Sequence, residues 1–180
     1  MRGMYLAHLP VSAKVFCTLF LLGIGCGNIA AVTQAATAVG LSYQEVAASL
    51  APEMPITHLH PGQMSAEREL DLSELSRSAK VWIRTPLLIQ TSHTHLFGQT
   101  LIAGLLGLIF LFSSVREWAK VVILSLPFVG TLVDIGGMWL ARFVRGPFAV
   151  LVLAGGGLFA LGYLCITTIS LYELWGKRRA

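Results

Sequence analysis

The sequence of 180 residues is 55% hydrophobic and only 12% charged, with a net charge of +4 and a mean hydropathy of +0.72. Soluble domains carry about 25% charged residues, so this composition, with its apolar residues gathered into long runs, indicates a membrane protein and argues against a soluble domain. The positive charge does not indicate nucleic-acid binding, because its clearest cluster, Lys177 to Arg179, directly follows an apolar segment and would orient it in a membrane.

Four apolar segments are long enough to cross a bilayer as helices. They cover residues 15–39, 96–113, 121–143 and 148–172. Each comes close to the roughly 20 residues that a helix needs to cross about 30 Å of hydrocarbon, and an open strand would leave backbone groups unpaired in lipid. The sequence therefore predicts an all-α fold, an integral membrane four-helix bundle with a small external helical segment between spans one and two.

Residues 1–39 hold the N-terminus and the first span. Lys14 precedes the apolar run and T-Q-A-A at residues 33–36 resembles a cleavage site, so a removable signal peptide is one alternative. Cys26 follows L-G-I-G, as in a lipoprotein box, but Gly23 stands where leucine is usual. Because the run is longer than an ordinary signal-peptide core, we predict a retained anchor.

Residues 40–94 form the predicted external segment. Within it, residues 42–50 are predicted to form a short helix, with Ser42 as N-cap and Glu45 three residues later in a capping-box pattern. After a proline-rich loop, residues 65–83 show apolar side chains at three- and four-residue steps, which predicts an amphipathic helix along the membrane surface or against a partner. Its apolar positions are Leu72, Leu75, Ala79 and Trp82.

Lysine and arginine residues predict the orientation through the positive-inside rule. They occur before span one, between spans two and three, and after span four, as Arg2, Lys14, Arg116, Lys120 and Lys177 to Arg179. With four spans these regions share one side, so both termini are predicted in the cytoplasm, with the protein in a bacterial inner membrane. Residues 95–180 then hold spans two to four and the basic cytoplasmic C-terminus, although Arg142 and Arg145 break the pattern.

Small residues four apart predict close packing between helices in lipid. The pairs are Gly23 with Gly27, Ala103 with Gly107, and Gly156 with Ala160. The alternative is that glycine is simply common in membrane helices. The triple glycine at residues 155–157 indicates either very close packing or a bulky group lying against the backbone.

Polar side chains within the spans gather near the predicted external face, and the inner half is almost purely apolar. His95 and Gln99 share one face of span two, and Asp134, Met138 and Arg142 share one face of span three. A carboxylate inside a membrane is costly and indicates a functional site with a nearby partner, here Arg142 or a histidine. The structural alternative is that Asp134 pairs with Arg142 only to hold span three against span two.

Four histidines form two H-x-H pairs, His58 with His60 and His93 with His95. In an extended chain both rings of a pair point the same way and can chelate one ion, whereas in a helix they diverge by about 200°. Four imidazoles near a carboxylate would suit copper or zinc. One imidazole from span two, with a loop histidine or Met138, would suit a b-type haem. The alternative is that the histidines are exposed or interfacial and bind nothing.

Three motifs carry a resemblance: H-T-H-L-F-G at residues 93–98, L-P-F-V-G-T-L-V-D-I-G-G-M-W-L-A-R at 126–142, and S-L-Y-E-L-W at 170–175. They resemble a group of uncharacterised small bacterial inner-membrane proteins, in which a histidine pair opens one span and an aspartate followed by Trp-Leu occupies the next. Some members carry a c-type haem motif, which implies electron transfer in those members. The cysteines here, Cys17, Cys26 and Cys165, form no such motif.

Two functional hypotheses follow. In the first, the protein is a small subunit of a respiratory or other redox membrane complex, in which His93 or His95 binds a haem or metal ion, Asp134 orients that ring, and Arg142 holds a propionate or balances the carboxylate. In the second, it is a cofactor-free accessory subunit that stabilises larger membrane subunits. No G-x-S-x-G, H-E-x-x-H or P-loop motif is present, so we expect no enzyme activity of its own. The expected partners are the lipid bilayer and larger membrane subunits, not nucleic acid.

Overall fold

The computed structural model describes residues 5–51 and 83–176. Its helices are α1 (Val11–Ala38), α2 (Tyr43–Ser49), α3 (Thr85–Phe110), α4 (Glu117–Phe143) and α5 (Ala149–Trp175), with short 3₁₀ turns at Leu6–His8 and Gly146–Phe148. The described residues contain no strand, and α1, α3, α4 and α5 are long and apolar enough to cross a membrane. The predicted all-α four-helix membrane fold is confirmed.

Helix α3 begins well before the apolar segment that predicted it. Hydropathy indicated residues 96–113, whereas the helix starts at Thr85, with Pro86 in its first turn, and ends at Phe110. Proline suits a first helical turn because its φ is already helical and its missing N–H has no helical acceptor there. The polar stretch T-S-H-T-H is therefore helical, so its two histidine rings diverge instead of pointing the same way.

Helices α4 and α5 form the most extensive contact in the bundle, and their backbones touch through glycines. A Cβ atom added to Gly130 would lie 2.7 Å from the carbonyl oxygen of Gly155. Closer to the start of α4, a Cβ atom added to Gly162 would lie 2.5 Å from Pro127 Cδ. Because ordinary non-bonded carbon atoms stay about 3.5–4.0 Å apart, only glycine allows this approach.

The predicted small-residue contacts are only partly present. In the triple glycine, Gly155 meets α4, whereas a Cβ atom at Gly156 or Gly157 would meet no described atom within 4 Å. A Cβ atom at Gly23 or Gly27 of α1 would likewise meet nothing within 4 Å in the described part of the chain. The Ala103–Gly107 pair does pack, because Ala103 is fully buried and a Cβ atom at Gly107 would lie 3.3 Å from Leu124 Cδ2 of α4. The other two pairs did not indicate which glycines meet a neighbouring helix.

Helix α1 is joined to the other helices mainly near its N-terminus. The Lys14 ammonium donates to the carbonyl of Leu174, and the Tyr163 hydroxyl donates to the carbonyl of Leu21 at 2.9 Å. The buried residues of α1 all lie within its first eleven positions. These long-range contacts are those expected of an anchor that packs on α5, and its retention stays a prediction.

Helix α2 covers one end of the bundle, formed by the starts of α3 and α5 and the end of α4, which we call the histidine end. Val46 of α2 and Leu50, which directly follows α2, pack there in one buried cluster with Leu88 of α3 and Met138 of α4. We call the opposite end the Glu173 end. The described part of the connection between α1 and α3 is therefore packed into the bundle at the histidine end.

The start of α2 has the capping box that its sequence predicts. Ser42 Oγ accepts from the Glu45 amide at 3.3 Å, and the Ser42 amide donates to Glu45 Oε2 at 3.1 Å. Gly40, just before it, has a φ of +102°, in the left-handed region that favours glycine. Residues 65–82 of the predicted amphipathic helix lie outside the described residues.

Candidate functional site

The histidine end brings together a histidine and a carboxylate from two different helices. His95 Nδ1 on α3 lies 3.6 Å from Asp134 Oδ2 on α4. The histidine side chain is 40% exposed, whereas that of the aspartate is only 8% exposed. Of the two partners predicted for the carboxylate, an arginine or a histidine, the structure brings the histidine beside it.

The face of α3 that meets α4 explains why His95 and not His93 reaches the carboxylate. Ser92, His95 and Gln99 follow one another at three- and four-residue steps on that face. Ser92 Oγ accepts a hydrogen bond of 2.9 Å from Trp139 Nε1, which joins α3 to α4 one turn from the histidine. His93 is exposed, and its ring packs against Phe97 with centroids 4.9 Å apart.

The His95 ring meets the carboxylate through Nδ1, and 40% of its side chain stays exposed. Nδ1 is buried and has no hydrogen bond at ordinary distance among the described residues, so Asp134 Oδ2 is its polar neighbour. A carboxylate that closed this distance to hydrogen-bond range would select the tautomer with its proton on Nδ1 and would leave Nε2 its lone pair. The arrangement can therefore orient an imidazole, as a metal ligand requires.

Met138 and Arg142 continue the same face of α4 but take part in other contacts. Met138 is buried in the cluster that α2 covers, so a ligand role for its thioether would require α2 to move. The Arg142 guanidinium is also buried, and its Nη1 donates to the carbonyl of Ala51 just beyond α2. Both side chains thus attach α2 and the residues just after it to α4.

The predicted metal site is only partly within the described residues. His58 and His60 lie outside them. Among residues 5–51 and 83–176, no group of three or more His, Cys, Asp or Glu side chains is placed to hold a metal ion. His93 and His95 point to different sides of α3, so they do not form a chelating pair.

The Glu173 end carries a second polar cluster, which hydropathy and spacing did not predict. The Glu173 carboxylate is 3% exposed and accepts from the Ser114 amide, at 2.8 Å to Oε2 and 3.0 Å to Oε1. It also accepts from the Ser114 hydroxyl at 2.5 Å. The α3–α4 loop is thereby fixed to the last turn of α5. The signal in the sequence was a carboxylate inside an apolar run, in S-L-Y-E-L-W.

Two lysines at the same end are also buried, although the sequence indicated them only as basic residues that flank the spans. Lys14 lies 5.8 Å from the centre of the Trp175 ring, within cation–π range, besides its bond to the end of α5. Lys120 Nζ donates to the carbonyl of Leu111 at 3.2 Å. A lysine that donates to the free carbonyls at the C-terminal end of a helix is stabilising. Both ammonium groups therefore supply donors to helix-end carbonyls at the Glu173 end.

These features define a multi-pass α-helical membrane protein with three associated spans, α3 to α5, and a further span, α1, attached mainly at one end. A model for a family described as a transmembrane helical domain matches residues 84–180, from the residue before α3 onward. Because the match covers more than half of the chain, the chain belongs to that family.

The matched region contains all three motifs of the resemblance. Membership in a family of membrane-helical proteins is thus confirmed, and the finer resemblance, to a group of which some members carry a c-type haem motif, stays a prediction. Neither the comparison with curated proteins nor the comparison with solved structures gave a match.

Proposed function

We propose that the protein is a small, non-enzymatic subunit of a larger membrane redox complex, and that His95 is a ligand for a haem or a metal ion at its histidine end. The observation that carries the proposal is the placement of a half-exposed imidazole against the buried carboxylate of Asp134. Metal-binding histidines almost always direct their second ring nitrogen to such a partner, which orients the ring and raises its basicity.

The remaining ligands would come from outside the described residues. His58 and His60 belong to the external segment that follows α2, and α2 lies across the histidine end. These two imidazoles with His95 would suit copper or zinc, and one of them with His95 would suit a b-type haem. A ligand from a larger partner subunit would serve equally well.

The topology of the bundle supports the proposed orientation. Successive spanning helices alternate in direction, and the Lys14–Leu174 contact puts the start of α1 and the end of α5 at the same end. We propose that this Glu173 end, with its basic flanking residues, faces the bacterial cytoplasm and that the histidine end faces outward.

We expect His95→Ala to abolish cofactor binding. The test is a reduced-minus-oxidised absorption spectrum and elemental analysis of the protein purified in mild detergent. The wild type should show a Soret band or near-stoichiometric iron, copper or zinc. Asp134→Asn should weaken binding by about 10–100-fold without abolishing it, because it disturbs the orientation of the ring and not the ligand itself.

His93→Ala is the matched control, since it removes a neighbouring imidazole from the other side of α3. It should leave the spectrum and the metal content unchanged. A colourless, metal-free wild-type protein that still co-purifies with larger membrane subunits would contradict the cofactor proposal.

The second candidate function is that of a cofactor-free accessory subunit. The part of α1 that follows Leu21 favours it, because this part is not buried in the bundle. Beyond Leu21, no residue of α1 is buried, and Gly23 and Gly27 are open to a close neighbour. Glycines four apart let a second helix approach closely in lipid, as in a small-xxx-small interface. This part of α1 would then pack against a helix of a larger subunit.

We expect leucine at both Gly23 and Gly27 to release the protein from its complex without unfolding it, because a Cβ atom at either position meets no described atom within 4 Å. The measurement is co-purification of larger subunits from native membranes. Ala36→Leu, on the opposite side of α1, is the control and should leave co-purification intact. Unchanged recovery of the partners with the glycine variant would contradict this docking role.

A further inference from the structure

Two hydroxyl groups inside α5 are buried without a hydrogen-bond partner in the described part of the chain. Ser170 is fully buried and Thr167 is 9% exposed. Neither Thr167 Oγ1 nor Ser170 Oγ has a partner among the described residues. An unpaired buried hydroxyl costs about 1–3 kcal/mol, and nearly all such groups in proteins bond to protein or to ordered water.

Other hydroxyl groups in these helices donate a hydrogen bond to a carbonyl of their own helix. Thr18, Ser92 and Thr131 each donate to the backbone carbonyl one turn earlier, at 2.8–2.9 Å. The same bond is open to Thr167 and Ser170 in the middle of α5, yet neither makes it. Their hydroxyls are thus directed elsewhere than to their own helix.

A third polar atom lies at the same level of the bundle. Gly162 of α5 touches Pro127 of α4, and the two helices are antiparallel, so Thr167 lies beside the turn of α4 that contains Ile123. Because proline has no N–H, the carbonyl of Ile123 has lost the donor that would normally follow it by four residues. Two hydroxyls and one carbonyl thus require partners in this layer.

These polar atoms lie between the Gly162–Pro127 contact and the buried carboxylate of Glu173. Glu173 follows Ser170 by three residues and Thr167 by six, a rise of about 9 Å along α5. All three belong to the buried side of that helix. Towards the histidine end, the direct contact between Gly162 and Pro127 leaves no space for this row of polar atoms to continue.

We propose that Thr167 and Ser170 hold a short chain of internal water molecules that runs from the Glu173 carboxylate into the bundle. A buried water molecule needs two to four polar partners. The two hydroxyls, the carbonyl of Ile123 and the carboxylate supply them. The water chain ends at the contact between Gly162 and Pro127 and allows protons at the Glu173 carboxylate to reach the level of Thr167.

The experiment measures magnetisation transfer from water to backbone amides in ¹⁵N-labelled, full-length protein in lipid nanodiscs. The amides of Thr167 and Ser170 should receive magnetisation from water, whereas that of Leu164, which faces outward, should receive none. Replacing both hydroxyl residues, as Thr167→Val with Ser170→Ala, should cause complete loss of the transfer. Thr168→Val removes an exposed hydroxyl from the same turn and should change nothing.

Two results would overturn the proposal. One is the absence of water transfer at Thr167 and Ser170 in the wild type, which would mean that both hydroxyls bond to their own helix. The other is unchanged transfer in the double variant, which would mean that water reaches these amides without the hydroxyls. The wild-type measurement decides the matter by itself if the double variant does not fold.

Discussion

Gly155→Ala is expected to prevent α4 and α5 from packing and to destabilise the protein by about 3 kcal/mol or more. The new Cβ atom would lie 2.6 Å from both the Cα of Asp134 and the carbonyl oxygen of Gly130. Both are backbone atoms of a helix, so neither can rotate away as a flexible side chain would. The helices would have to separate along their most extensive contact. Thermal unfolding in detergent, followed by circular dichroism, measures the loss.

Gly156→Ala provides a matched control, one residue along the same helix. It makes the same chemical change with the same helix propensity, but its Cβ atom meets no described atom within 4 Å. Its stability should equal or slightly exceed that of the wild type, since alanine is a better helix former than glycine. Equal stabilities for the two variants would contradict the backbone contact between α4 and α5.

Glu173→Ala is expected to destabilise the protein by about 3 kcal/mol, because it removes a buried hydrogen-bonded carboxylate and leaves the Ser114 amide without that acceptor. The α3–α4 loop would lose its attachment to α5. Limited proteolysis at this loop, together with thermal unfolding in detergent, should show both effects.

Ser114→Ala tests the same contact from the other side. It removes the hydroxyl donor but keeps the backbone amide, so it should cost less, about 1 kcal/mol. A Glu173→Ala protein that is no less stable than Ser114→Ala would show that the carboxylate does not hold the loop.

Local patterns predicted the helices well because each depends on residues near in sequence. Apolar runs of membrane length predicted the four spanning helices, and the Ser42–Glu45 spacing predicted the start of α2. Hydropathy could not give the start of α3, because a helix continues through polar residues wherever its backbone bonds can form. Pro86 was the better signal for that boundary.

Contacts between distant segments were harder to predict. The His95–Asp134 contact was one of two pairings that the spacing allowed, and the sequence did not decide between them. The Arg142 bond to the Ala51 carbonyl joins residues 91 apart and involves a backbone acceptor, which carries no residue-type signal. The choice of Gly155 from three successive glycines depends on the rotation of α5 about its axis, which only packing fixes.

The attachment of α1 at one end has a consequence for the order of assembly. Lys14 and Leu174, which form part of that attachment, are 160 residues apart. At about 5–20 residues per second, the ribosome needs on the order of 10 s to complete α5 after α1 has entered the membrane. During that time the contacts between α1 and α5 cannot form, and the apolar surface of α1 suits the surrounding bilayer. Helix α5 therefore fixes the start of α1 only after α3 and α4 have been made.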